Sequence, residues 1–226
     1  MRLPGFVARP MFSVLYGLAR RSVAVVPIRR VVRPVSAECQ NAFDDLLVAS
    51  LERDGGGLIT YRLPYPKSEF LNYLCDWKGF VAHGSPLADL TRLEPVRLGS
   101  DTNEFGNRQQ VFGSPDAMWA MWFAILDKSR VSRTDNGCVR VGRGSGRAKY
   151  CHFELPREQR GVYPFVAGMM YLARPESYPN RRGQGVLKWF DAEIEEWGST
   201  GPVAPILRVA VKPEEFPYLD RVGYRL

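Results

Sequence analysis

The stretch Gly79-Phe80-Val81-Ala82-His83-Gly84-Ser85 decides how this chain is read, because it sets one of only two histidines at the end of a short apolar run. A run of this length bounded by glycine reads as a buried strand. The glycine after the imidazole leaves bare backbone against which a flat ligand can lie. A second segment, Val111-Phe112-Gly113-Ser114-Pro115-Asp116, follows at a distance that lets another strand pair beside the first.

Working outward, Ser114-Pro115-Asp116 has the order of an N-cap, a first-turn proline and an acid facing the helix dipole. It predicts a helix over residues 115–128. Met118, Trp119, Met121, Trp122, Phe123, Ile125 and Leu126 make that helix apolar on nearly every side, so sheet or other helices must cover it. Trp119 and Trp122, one turn apart, allow one ring to face a ligand while its neighbours pack. Residues 86–110 lack periodicity and are rich in turn formers, which suits a functional loop or a surface insertion.

Elsewhere the spacing of Phe43, Leu46, Leu47 and Leu51 predicts a helix over 37–53, and strand character follows over 58–63. A short helix over 68–75 starts with Ser68 as its expected N-cap. Residues 138–141 and 149–155 form strands around Gly142-Arg143-Gly144-Ser145-Gly146, a hairpin connection without the Lys-Ser/Thr ending of a phosphate-binding loop. Further strands are expected over 165–172 and 205–211, with a helix over 186–197.

The chain has 226 residues, 45% of them hydrophobic, enough to bury the core of one globular domain. Residues 1–36 form a basic segment punctuated by prolines, expected to be a disordered extension or a targeting segment. Residues 37–226 form a single α+β domain. Seven arginines and no acid occupy residues 1–37, leaving 24 of the 31 Lys and Arg against 24 Asp and Glu. The body is therefore neutral by count, and the local cluster of Arg140, Arg143, Arg147 and Lys149 is the feature that would favour RNA. Cys39, Cys75, Cys138 and Cys151 lack metal-ligand spacing, so no metal is expected and free thiols in a reducing compartment are. His152 reads as structural. The basic segment's apolar stretches are split by Arg20-Arg21 and too short to span a bilayer, so no membrane partner is expected. The expected compartment is cytoplasmic, or an organellar matrix if residues 1–36 are a transit peptide.

Three stretches, residues 80–85, residues 110–119 and Glu196-Trp197-Gly198-Ser199 with Pro202-Val203-Ala204-Pro205, resemble a widespread group of functionally uncharacterised bacterial proteins. That group in turn resembles, more distantly, ADP-ribosyltransferases. The resemblance implies a split, mostly antiparallel sheet with flanking helices. It implies NAD as substrate, with His83 holding the adenosine-side ribose, the Gly84 backbone bonding the nicotinamide carboxamide, and Ser85 nearby. Phe112, Trp119 and Trp122 would supply the ring contacts, Val111 standing where a tyrosine is common. Glu196 would be the carboxylate that polarises the nicotinamide ribose, stabilising charge as nicotinamide leaves. The expected activity is mono-ADP-ribosyl transfer to a protein or nucleic-acid acceptor, or NAD hydrolysis. The alternatives are a non-catalytic binding module on the same fold and an RNA-binding or RNA-modifying protein.

Overall fold

The computed structural model describes residues 27–52, 57–96, 104–131, 133–182 and 191–224. Part of the basic segment belongs to the fold. Strand β1, Ile28–Val31, pairs antiparallel with β6, Ala148–Leu155, and Ser36 then caps helix α1, Ala37–Leu51, its Oγ accepting from the Cys39 amide at 3.2 Å. The domain thus reaches back at least to residue 27, and a boundary at residue 36 falls inside it.

Helix α2, Lys67–Asp76, begins one residue earlier than expected, because the Pro66 carbonyl already accepts from the Glu69 and Phe70 amides. Ser68 lies inside the first turn and caps nothing. Helix α3, Ala117–Ile125, is capped by Asp116, whose Oδ1 accepts from the Trp119 amide at 2.9 Å. Ser114, the expected cap, sits two residues outside: its Oγ accepts from the Asp116 amide and donates to the Glu195 carbonyl. The helix ends before residue 128 because Leu126 turns extended and bridges to Phe165.

Strands β5, Asp135–Val141, and β6 form the expected hairpin, and β9, Ala192–Ile194, adds to β5. β12, Gly223–Tyr224, pairs parallel with β6 beyond the end of β1. A second sheet runs β2-β11-β7-β3, where β2 is Leu58–Ile59, β3 Val81–Ser85, β7 Gly168–Ala173 and β11 Leu207–Val211. A third runs β4-β10-β8, where β4 is Val111–Gly113, β8 Asn180–Arg181 and β10 Trp197–Ser199. The helix expected over 186–197 is overturned in its described part: Ala192–Ile194 and Trp197–Ser199 are strands, and residues 186–190 lie outside the described residues. These strands answer to partners far along the chain, β5 for β9 and β4 with β8 for β10, which local charge patterning does not reveal.

Helix α3 lies between two sheets. On one side its backbone meets Gly84 and Gly168; on the other Trp122 lies 5.2 Å from Phe153 of β6, and Trp119 Nε1 donates to Asn136 of β5 at 2.7 Å. This sandwiching accounts for a helix with almost no polar face. The second and third sheets meet through a bridge at Ala82 and Ser114, with amide-to-carbonyl distances of 2.9 and 2.8 Å. The protein is therefore an α+β molecule dominated by antiparallel pairing. Among the described residues, no helix is long and apolar enough to cross a membrane.

Candidate functional site

The bridge between Ala82 and Ser114 sets the register of the seam and places His83 beside Gly113, which pairs with Trp197, which pairs with Arg181. Side chains in one cross-strand row share a face. His83, Gly113, Trp197 and Arg181 form such a row over β3, β4, β10 and β8, with the Arg181 guanidinium 3.9 Å from the Trp197 ring centroid. Tyr171 of β7, opposite His83, extends the row. Its hydroxyl donates to the Leu87 carbonyl and accepts from the Leu90 amide at 3.1 Å, while Leu93 bridges to Val203, so the start of the long loop is held over this face.

His83 is half-buried, and its Nδ1 lies 2.7 Å from the Phe112 carbonyl oxygen. A carbonyl only accepts, so Nδ1 carries the proton and Nε2 of the neutral ring is an acceptor. The Phe112 carbonyl thus helps to orient the imidazole across the seam.

Several expected contacts lie elsewhere. A Cβ on Gly84 would stand 1.8 Å from the Ala120 carbonyl oxygen, so the bare backbone admits helix α3 and not a ligand. Trp119 and Trp122 are core residues, 4% and 0% exposed. Phe112 is half-buried against Phe105, at 6.2 Å between centroids, and Ser85 accepts from the Leu87 amide. Glu196 is bound by Arg182 at 2.8 Å, and its neighbour Trp197 occupies the His83 face. Strand alternation sends Glu196 to the opposite face. His83 and Glu196, predicted partners, are separated by the sheet itself.

A cluster that sequence reasoning missed lies between β6, α2, α3 and the β9–β10 connection. Lys149, 1% exposed, places its Nζ 2.9 Å from Asp76, 3.3 Å from Asp116 and 2.8 Å from Glu195, and donates to the Pro115 carbonyl. Arg30 reaches Asp76 and Asp116, Arg147 reaches Asp76, and Arg140 reaches Glu193 and Glu195. Burial alone would lower the Lys149 pKa, but the three carboxylates outweigh it and hold the ammonium well above its ordinary value. Burial likewise pushes Asp116 up, and Lys149 and Arg30 overcome it, bringing the carboxyl down to about 2. Glu195 goes the other way: burial raises it, Lys149 offsets only part, and Asp116 adds to the rise. A lysine held protonated is no nucleophile, so the cluster is a structural lock. In the basic stretch that would favour RNA, Arg140, Arg147 and Lys149 meet carboxylates of this cluster, and Arg143 pairs with Asp191 outside it.

Among the described residues two groups gather metal-ligating types, with ligand atoms within 4.8 Å of one another. In the first, Asp116 with Cys138 and Cys151, the carboxylate is already engaged by Arg30, Lys149 and the Trp119 amide. In the second the hairpin register sets Asp135 opposite Glu154, and His152 Nε2 lies 3.4 Å from Asp135 Oδ1. One imidazole and two carboxylates suit a divalent ion of the zinc or manganese kind. The signal in the sequence was the alternation His152-x-Glu154, legible only with the register of β5 known. A cavity of about 520 Å³ opens between α2 and residues 30–36, lined by Arg33, Tyr73 and Trp77 among others and by no member of the His83 row. Comparisons with protein-family models, with curated proteins and with solved structures find no match.

Proposed function

We propose that the chain binds a dinucleotide of the NAD class across the seam of β3 and β4, as an ADP-ribosyltransferase-like protein for which NAD is substrate. The reading rests on the position of the His83 imidazole: bonded through Nδ1 to the Phe112 carbonyl at 2.7 Å, it stands at the junction of two half-sheets with Nε2 as the acceptor atom of its neutral ring. A ribose hydroxyl is the donor such a nitrogen takes. Arg181 in the same row is a cation placed for a pyrophosphate, and Trp197 beneath it offers an aromatic face.

Transfer requires more than binding. As the bond between the ribose C1′ and nicotinamide breaks, the electron pair leaves with the ring, and a carboxylate must stabilise the charge left on the sugar before an acceptor or water adds. The engagement of Glu196 with Arg182 on the opposite face favours a second reading, a binding module without turnover.

Calorimetric titration of the full chain with NAD, paired with chromatographic detection of free nicotinamide, tests both. Binding is expected in the parent and at least tenfold weaker in His83→Ala with unchanged circular dichroism. Nicotinamide release above the buffer rate establishes the enzyme; tight binding without release establishes the module. Equal affinity in parent and His83→Ala, or none in either, removes NAD from the site.

A further inference from the structure

Tyr178 is 0% exposed, yet its hydroxyl has no hydrogen-bond partner among the described residues. A buried hydroxyl left without a partner forfeits the water it had and gains nothing in return. The ring lies on the His83 face: a Cβ on Gly113 would stand 2.7 Å from Tyr178 Cε1 and 2.8 Å from its Cζ. Gly113 is the position between His83 and Trp197 in the row, so this phenol fills the slot that the row leaves open.

The segment that delivers the ring is short and otherwise superficial. Residues 174–179 connect β7 to β8, and Tyr178 is the one buried side chain among them, its neighbours being half-buried or exposed. In the joined order β7-β3-β4-β10-β8 the connection crosses four interstrand steps of about 4.8 Å, on the order of 19 Å. Seven peptide steps reach at most about 25 Å, less where Pro175–Ser177 forms a 3-10 turn. The strap therefore passes directly over the seam.

Resting on the NAD reading above, we propose that Tyr178 is a built-in occupant of the ring subsite over Gly113, and that the planar nicotinamide ring of the dinucleotide displaces it on binding. One flat ring exchanges for another on bare glycine backbone, with His83 on one side to take a ribose hydroxyl and Trp197 on the other. The orphaned hydroxyl makes the closed strap easier to lift than a fully satisfied one, and on opening it regains a partner in solvent.

Two variants test the exchange, each titrated with NAD and with nicotinamide alone and melted without ligand. Tyr178→Phe keeps the ring and removes the orphan. It is expected to raise the melting temperature by a few degrees and weaken both ligands three- to tenfold, because the closed state gains. Tyr178→Ala empties the slot and is expected to bind both ligands more tightly than the parent. A Tyr178→Phe protein with unchanged or lower melting temperature, or with undiminished affinity, overturns the displacement, as does a folded Tyr178→Ala protein that binds no tighter. Should NAD bind none of the three proteins, the NAD reading fails, and the nicotinamide titrations with the melts still decide the role of Tyr178.

Discussion

At the scale of single residues, the charge on Asp116 separates cleanly from its shape. Asp116→Asn keeps an Oδ1 to cap α3 and replaces the Oδ2 that meets Arg30 and Lys149 with an amide nitrogen. The folded-state pKa of Asp116 is depressed to about 2, so its contribution is present above the unfolded-state pKa and lost as pH falls through the folded one. The difference amounts to about 2 kcal/mol. Asp116→Asn is expected to be less stable than the parent by at least this much near pH 7, with the gap closing between about pH 4 and about pH 2; urea melts across that range measure it, and a gap independent of pH contradicts it. Glu195 has the opposite sign. Its pKa is raised, so its favourable contribution is present in acid and fades as pH rises through the raised value. Neither behaviour was readable from the sequence, where Asp116 read as a helix-start acid and Glu195 fell within the helix expected over 186–197.

At the scale of elements, what was legible follows from what is local. The hairpin of β5 and β6 announced itself by two strands around a glycine-rich turn, and α1 by its apolar spacing. The stretch 192–199 did not, because Arg140 and Lys149, far along the chain, neutralise Glu193 and Glu195 and make an acidic strand tenable. Gly84 shows the same limit. Its glycine was noticed, but what approaches its bare backbone is α3, through the Ala120 carbonyl. Gly84→Ala is therefore expected to force β3 and α3 apart and destabilise the fold by about 3 kcal/mol, in the range for overpacked cores. Thermal melts and soluble yield report this. A Gly84→Ala protein of parental stability with weakened NAD binding would instead restore the glycine to the ligand site.

At the scale of the whole molecule, one core runs from α1 and α2 through α3 to both flanking sheets, and all four cysteines are inside it. Burial raises the thiol pKa of Cys75, Cys138 and Cys151 well beyond neutrality, which leaves little thiolate to react. A colorimetric disulfide reagent is expected to titrate four thiols in guanidinium and react only slowly with the native protein. Fast reaction of any thiol in the native state would place it outside the core described above. The His83 strand, its neighbour over 111–113 and their apolar helix were foreseen as a unit, and that unit is the seam. The strap over it was not, since Tyr178 in a proline-rich connection carries no local mark of burial.

The contact of Lys149 with three carboxylates, Asp76, Asp116 and Glu195, has a further consequence, for inheritance. Exchanging one member alone strands a charge away from water, whereas exchanging several together for apolar residues of similar size does not. Among descendants of this chain, positions 76, 116, 149 and 195 should drift in concert or stay fixed.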